Sequence, residues 1–420
     1  EKTLFIVASK SGTTGEVQAF LDYFWEQAKP LGSAAGEHFV AITDPGTKLE
    51  EIARQNGFRQ VFLADPDTGG RYSALSAFGL VPAALIGMDV EKLLDHAQRM
   101  EDTCSPDVPA GRNPGLVLGA ILGEAALQGR DKLTFLTDPS VCPLGSWLEQ
   151  LVAESSGKEG RGIVPVDMEP YSHHYSGDRL FVYFQSDGSH KELADALIQQ
   201  GHPVLSLPVE SAYTLGSAFF QWEVATAIAC AVLGVNGFNQ PDVQDNKNRT
   251  KEKIARYARG ETLGEGPVIW ARPGARVYGQ AFHGLDAISE LRQVVAGFVE
   301  QAKEGDYVAI NAYVPRNPHI LEQLQALRKA IQAKTGRPTT LGFGPRFLHS
   351  TGQLHKGGAD NGLFLQITRE PEQDVPIPGQ GITFGLLERA QAVGDLEALL
   401  ARGRRAIRIH LDGASIEDLA

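Results

Sequence analysis

The sequence predicts an α/β protein in which parallel sheets are covered by helices. Short apolar runs without alternation, which are typical of strands buried on both faces, recur along the chain. Segments with the helical spacing of apolar residues separate these runs, so the order is repeatedly β-α-β. A chain of 420 residues with 42% hydrophobic and 21% charged residues has the composition of a globular protein of two or three domains.

The first β-α unit carries a candidate anion site. The apolar run Leu4–Ala8 predicts a strand, and an amphipathic helix follows after a short loop. Hydroxyl side chains and one lysine fill this loop: Ser9, Lys10, Ser11, Thr13 and Thr14. Free backbone N–H groups and the positive end of the helix dipole meet there, which favours a phosphate. An ordinary cluster of N-capping Ser and Thr is the alternative.

A second glycine-containing loop follows the strands predicted at 38–42 and 60–63. Gly69 and Gly70 permit close approach of the backbone to a ligand, and Arg71 stands at the start of the next apolar helix. The alternative is a Gly-Gly turn with a solvated arginine. The helix and strand predicted at 116–128 and 132–136 complete the pattern of this part of the chain.

The helix predicted at 144–154 carries a candidate general base near its end. Gln150 and Glu154 are four residues apart and therefore share one face. A carboxylate in the last turn opposes the helix dipole, which suits a proton acceptor. Gly157 stands in the usual place for a glycine that ends a helix. A solvated surface glutamate is the alternative.

The β-α alternation continues to the end of the chain. Strands are expected at 180–184, 202–207, 307–312, 340–343, 363–367 and 406–410, and helices at 191–200, 215–233, 287–302, 320–335 and 386–401. The stretch 260–274 is expected to be a connector, and the Gly-rich loop 342–358 is too rich in titratable residues for a plain linker. These elements predict domains at residues 1–157, 158–262 and 263–420.

The composition of the chain excludes several classes of binding partner. A net charge of −12 argues against nucleic acid. No continuous apolar run reaches spanning length, and no signal peptide precedes the first strand, so we expect a cytoplasmic protein without membrane contact. The three cysteines are far apart and lack metal-ligand spacing, so no metal or other cofactor is expected.

Four motifs resemble glucose-6-phosphate isomerases, which contain sugar isomerase (SIS) domains. SKSGTTGE at 9–16 resembles the family's phosphate loop, and GGRYSALSAFGL at 69–80 matches the family signature at every fixed position. QLVAESSGK at 150–158 and HSTGQLHKGG at 349–358 resemble two further motifs of the family. The segment 234–247 resembles a fifth, in which Gln240 and Lys247 keep the family's spacing, although Asp242 stands where the family has glycine.

The resemblance implies SIS-type three-layer α/β/α domains with parallel sheets. It also implies an aldose–ketose isomerase that converts glucose 6-phosphate to fructose 6-phosphate. In this reading Glu154, Arg71, His349 and Lys247 are catalytic. The implied substrate-binding residues are Ser9, Lys10, Ser11, Thr13, Thr14, Gly70, Gln150, Gln240 and Gln353. Rival ring-opening histidines are His173, His174 and His202.

Several alternatives stay open. The phosphate loop alone would fit a non-catalytic SIS module, and an isomerase acting on mannose 6-phosphate as well would share these motifs. The His349 segment follows the Gln240 segment here, whereas it precedes it in the family. That order, the missing first Gly-rich loop and the opening Glu1 resemble fusions of an upstream transaldolase with the isomerase. A homodimer is implied by the resemblance alone.

Overall fold

The computed structural model describes residues 2–420, and its strands and helices alternate along most of the chain. The strands are β1 Phe5–Ala8, β2 Phe39–Thr43, β3 Gln60–Leu63, β4 Lys132–Thr137, β5 Val164–Val166, β6 Arg179–Gln185, β7 Val204–Pro208, β8 Val268–Arg272, β9 Ala275–Gly279, β10 Tyr307–Tyr313, β11 Thr339–Phe343, β12 Gly362–Arg369, β13 Pro376–Ile377, β14 Ile382–Thr383 and β15 Arg405–Leu411.

The helices fall between these strands. They are α1 Gly15–Ala28, α2 Lys48–Gln55, α3 Ala77–Leu85, α4 Val90–Thr103, α5 Pro114–Leu127, α6 Pro143–Ser156, α7 Lys191–Gln199, α8 Leu215–Leu233, α9 Val243–Ala258, α10 Leu291–Val299, α11 Pro318–Thr335, α12 Gly352–Gly357 and α13 Phe384–Ala401. Short 3-10 turns include Gly70–Tyr72 and Arg346–His349.

Contacts divide the chain into two units. Unit 1 comprises the residues up to Asn113 together with Ser211–Glu223 and Asp374–Phe384. Unit 2 comprises Pro114–Glu210, Val224–Gln373 and Gly385–Ala420. The domains predicted at 1–157, 158–262 and 263–420 stay a prediction beside this division.

Unit 1 is built on the parallel sheet β1-β2-β3. Strand β2 is buried along its whole length, and Phe39 packs against the rings of Phe5, Trp25 and Phe58. The expectation that the opening strand is buried on both faces is wrong, because Ile6 is 39% exposed. Strand β1 lies at one edge of this sheet, and the central strand β2 takes the doubly covered position.

Unit 2 holds two larger sheets. The first has the order β5-β4-β6-β7, and every neighbouring pair in it is parallel. The second has the order β11-β10-β12-β15-β9-β8, in which β9 and β8 are antiparallel to their neighbours and the rest are parallel. The prediction of an α/β fold with parallel sheets is confirmed.

The second sheet of unit 2 is the middle of three layers. Along β10, Val308 and Ile310 share a core with α10 and α11. Tyr307 and Ala309 face the other way and share a core with Leu396 of α13 and with residues of α6 and α12. Alternate side chains of a strand point to opposite faces, so this strand is buried throughout because both of its faces are covered.

Some elements differ from the sequence prediction. The expected connector 260–274 leads into the β8–β9 hairpin, which Gly274 turns at a φ of +91°. Helices α4 and α12 were not predicted, and α10 is shorter than expected. Within residues 2–420, α8 is long and apolar enough to span a membrane by length and composition alone. Core helices of globular proteins meet the same criterion, so this is weak grounds for a membrane span.

Candidate functional site

The hydroxyl loop of unit 1 lies where β1 ends and α1 begins. Thr14 is the N-cap residue of α1 but makes no capping hydrogen bond with its side chain. Instead its hydroxyl pairs with that of Ser9 at 3.0 Å, and the hydroxyls of Ser11 and Thr13 pair at 3.0 Å. These hydroxyls are therefore not N-capping groups, and they stand beside the positive end of a helix.

Lys10 of the same loop forms hydrogen bonds with residues that follow strands β2 and β3. Its Nζ donates to Asp44 Oδ2 at 2.7 Å and to the backbone oxygens of Asp65 and Pro66 at 3.0 and 3.2 Å. These acceptors follow β2 and β3, so the lysine ties the carboxyl ends of neighbouring strands together. The resemblance assigns Lys10 to phosphate; in this structure its charge is matched by Asp44.

The second loop of unit 1 presents a glycine beside a buried guanidinium. Arg71 lies in the 3-10 turn and is 5% exposed, with its Cζ 5.5 Å from the centre of the Tyr72 ring. The Ser73 hydroxyl donates to the Gly70 carbonyl oxygen at 2.6 Å and fixes the turn. A Cβ placed on Gly70 would meet no atom within 4 Å, so packing does not demand glycine there.

In unit 2, helix α6 carries the predicted base. Glu154 is 8% exposed, and Gln150 Nε2 donates to its Oε2 at 3.2 Å. The alternative of a solvated glutamate is therefore wrong. The side chain lies in the last turn of α6, where the dipole opposes a negative charge.

Gly157 ends α6, but its glycine is required by space and not by backbone conformation. Its φ is −76°, which any residue can adopt. A Cβ there would lie 2.6 Å from the Leu354 Cβ of helix α12. The end of α6 and the start of α12 therefore lie in direct contact, which brings the motifs at 150–158 and 349–358 together.

Gln353 links three motif segments of unit 2. Its Nε2 donates to the Gly157 carbonyl oxygen at 2.9 Å and to Asp242 Oδ2 at 2.7 Å. Its Oε1 accepts from the backbone N–H of Asp242 at 2.9 Å. The side chain is fully buried. The resemblance assigns Gln353 to substrate, whereas these contacts describe a tie between the segments.

The remaining predicted residues of unit 2 lie on the segments that Gln353 joins. His349 is half-buried in the 3-10 turn that precedes α12. Gln240 is exposed just before α9, and Lys247 is exposed within the second turn of that helix.

The rival histidines lie elsewhere in unit 2. His173 and His174 are exposed in the segment between β5 and β6. His202 packs edge-on against Phe181, with ring centres 5.4 Å apart, and burial lowers its pKa. His202 therefore contributes to packing at the start of β7.

A buried carboxylate beside the His349 turn was not predicted. Glu149 of α6 is 5% exposed, and burial raises its pKa to about 7. The guanidinium of Arg346, in the same turn as His349, lies 3.6 Å from its Oε1 and also donates to the Ser146 carbonyl oxygen at 2.9 Å. Nothing in the sequence separates Glu149 from a surface glutamate. Asp242 was visible only as a departure from the family pattern.

Comparison with known proteins supports one family. A family model described as phosphoglucose isomerase matches residues 1–206. A glucose-6-phosphate isomerase of Heliobacterium modesticaldum is 30% identical over 316 residues, covering 60% of this chain and 69% of the relative. A probable glucose-6-phosphate isomerase of Methanococcus maripaludis is 29% identical over 294 residues, covering 60% of this chain and 66% of the relative.

Solved structures agree at the level of the fold. A hypothetical protein from Thermus thermophilus superposes with a TM-score of 0.52 at 26% identity, covering 60% of this chain and 72% of that chain. A glucose-6-phosphate isomerase from Chlamydia trachomatis gives a TM-score of 0.51 at 20% identity, covering 61% of this chain and 60% of that chain. The chain spans about two thirds of the length of the curated relatives it matches.

Proposed function

Because this chain belongs to the phosphoglucose isomerase family, we propose that it interconverts glucose 6-phosphate and fructose 6-phosphate. The reaction opens the sugar ring and moves one proton between C2 and C1 through a cis-enediol. The observation that carries the proposal is the Gln353 tie, which holds the segments of Glu154, His349 and Lys247 together within unit 2.

Glu154 is the proposed base. It takes the proton from C2 and returns it to C1, while O1 gains a proton and O2 loses one, so the sugar is rearranged without net gain or loss of atoms or electrons. Its burial and its place on the face of α6 that also carries Gln150 support this role. The amide of Gln150, which already donates to Glu154, orients the carboxylate and contacts the substrate.

The ring-opening step is assigned to His349 with Lys247. An imidazole exchanges protons near neutral pH, which suits transfer between the ring oxygen and the C1 hydroxyl. The side chains of Gln240 and Lys247 are exposed, which is consistent with their assignment to the sugar. The assignment of Gln353 as a substrate ligand is the weakest of the set, because its amide is fully buried and bonded to protein atoms.

Unit 1 supplies the proposed anion-binding groups. The loop hydroxyls and the N-terminus of α1 would hold the phosphate, with Lys10 shaping the loop through Asp44. Arg71 would offset the charge that grows on the enediolate oxygens, an electrostatic contribution that is often the largest in such reactions. Gly70 would leave room for the sugar.

The wider predictions belong to the same proposal. The reaction moves a proton and needs no metal or redox cofactor. The substrate is a small sugar phosphate, with neither nucleic acid nor membrane as a partner, and the protein is proposed to act in the cytoplasm. A homodimer and an upstream transaldolase rest on the resemblance alone.

The test measures fructose 6-phosphate formed from glucose 6-phosphate and, separately, from mannose 6-phosphate. Glu154→Gln should lower turnover roughly 10²- to 10⁴-fold, the usual scale for general acid–base catalysis, and still bind 6-phosphogluconate. Glu192→Gln, on an exposed position of α7, is the matched control and should leave turnover unchanged.

The outcomes separate the alternatives. Product from both sugars would make the protein a dual isomerase. Binding of 6-phosphogluconate without turnover by the unaltered protein would make it a sugar-phosphate-binding module. Wild-type turnover in Glu154→Gln would refute the assignment of the base.

A further inference from the structure

We propose that Asp242 is a positioning residue, which sets the geometry of the His349 turn and the end of α6 by holding Gln353. This inference rests on the proposed function and deepens it. The hydrogen bonds of Asp242 join Gln353 and Arg402, and the family pattern has glycine at its position, so the resemblance does not predict this role.

The bonds between Asp242 and Gln353 are reciprocal. The backbone N–H of Asp242 donates to Gln353 Oε1 at 2.9 Å, and Gln353 Nε2 donates to Asp242 Oδ2 at 2.7 Å. Two bonds in opposite directions fix both the position and the rotation of the amide. The second N–H of Gln353 then points to the Gly157 carbonyl oxygen at 2.9 Å. All hydrogen-bonding groups of this buried amide are therefore used.

Asp242 is in turn held from the other side. Arg402, which follows α13, donates to Asp242 Oδ1 at 3.0 Å and to Asp245 Oδ2 at 2.6 Å. The carboxylate thus has one oxygen on Arg402 and the other on Gln353. Asp242 is the N-cap residue of α9, so the start of the helix that carries Lys247 is fixed by the same carboxylate.

The residues around these hydrogen bonds are closely packed. A Cβ on Gly357 of α12 would lie 2.7 Å from Gln353 Nε2 and 2.7 Å from the Gly157 carbonyl oxygen. The backbone N–H of Gly160 donates to the Gly357 carbonyl oxygen at 2.9 Å, which adds a second bond between the end of α6 and α12. A shift of Gln353 is therefore passed to the segments of Glu154 and His349 and is not absorbed locally.

The functional consequence follows from the sensitivity of catalysis to position. A displacement of about 1 Å of a reacting group can cost about 10²-fold in rate. The proposed phosphate-binding groups belong to unit 1, whereas Asp242 belongs to unit 2. Loss of Asp242 should therefore lower kcat and leave KM nearly unchanged.

The experiment is a double-mutant cycle on the full protein. Asp242→Ala and Gln353→Ala should each lower kcat about 10- to 100-fold with KM changed less than about threefold. The double variant should be no slower than the slower single variant, because both changes break one tie. Asp242→Asn keeps an oxygen for Gln353 and should restore most of kcat. Glu252→Ala, at an exposed position of α9, is the control and should leave kcat unchanged.

A second measurement does not depend on activity. The imidazole NMR signal of His349, identified by its loss in His349→Asn, should shift in Asp242→Ala and stay in place in the control Glu252→Ala. If the unaltered protein does not isomerise but this shift appears, the proposed function fails and the positioning role stands. An unchanged signal, or a double variant slowed by the product of the two single effects, would overturn the positioning role.

Discussion

Replacing Glu149 with glutamine should stabilise the protein at alkaline pH and leave its stability almost unchanged at acidic pH. Burial raises the pKa of this carboxyl from 4.5 to about 7. Burial outweighs the nearby Arg346, whose side chain is 47% exposed and therefore screened by water. Asp167 adds a negative charge in the same region, while Arg328 and the Ser350 hydroxyl favour the ionised form.

The direction in which the free energy of unfolding changes with pH follows from the number of protons bound to the folded and unfolded chains. Between pH 4.5 and 7 the folded protein holds a proton on Glu149 that the unfolded chain has lost, so stability falls as the pH rises through this window. One pKa unit corresponds to about 1.4 kcal/mol, so the full shift from 4.5 to about 7 lowers the free energy of unfolding by about 3.5 kcal/mol. About 2.5 kcal/mol of this is lost between pH 5 and pH 8, because most of the remainder is lost below pH 5. Glutamine resembles the protonated acid and avoids this loss.

The assay is urea unfolding at pH 5 and pH 8, followed by circular dichroism in the transition that reports unit 2. The advantage of Glu149→Gln over the unaltered protein should grow by about 2.5 kcal/mol from pH 5 to pH 8. The exposed control Glu192→Gln should change by less than about 0.5 kcal/mol. An equal effect of Glu149→Gln at both pH values, or a loss of stability at pH 8, would refute the reasoning.

Two further substitutions test the packing and the charges of unit 2. Gly157→Ala should lower the free energy of unfolding by about 1–3 kcal/mol, because its methyl group would lie 2.6 Å from the Leu354 Cβ. The control Gly177→Ala places a methyl group with no atom within 4 Å and should leave the free energy of unfolding unchanged. Glu169 Oε2 accepts a hydrogen bond from Arg179 at 2.7 Å, and both side chains are buried. Arg179→Met should lower the free energy of unfolding by about 3–5 kcal/mol, because it leaves the buried charge of Glu169 without its ion-pair partner. A decrease under about 1 kcal/mol would contradict this.

Much of the local structure was readable from the order of residues. The spacing of apolar side chains placed most strands and helices within a few residues of their observed ends, as for the strand expected at 307–312 and observed as β10 Tyr307–Tyr313. The Gln150–Glu154 pair was likewise predictable, because residues four apart in a helix face the same side. Such relations are local and need no knowledge of the rest of the chain.

Partners distant in the chain were not readable in this way. The burial of Gln353 depends on Asp242, 111 residues earlier, and on Gly157, 196 residues earlier. The sequence predicts Lys10 to be a phosphate ligand, and only the structure shows that its side chain donates to Asp44. The spacing of residues indicates which face a side chain lies on, but it carries no information about what covers that face.

The sequence by itself determined the β-α order, the positions of the motifs and the residue types available for proton transfer and anion binding. The tertiary structure alone decided which strand of the first sheet is central, which glycine is required by contact, and which polar side chains tie segments together. The physical reason is that local backbone preferences act over a few residues, whereas desolvation and hydrogen bonding in a packed interior depend on groups that folding brings together from distant parts of the chain.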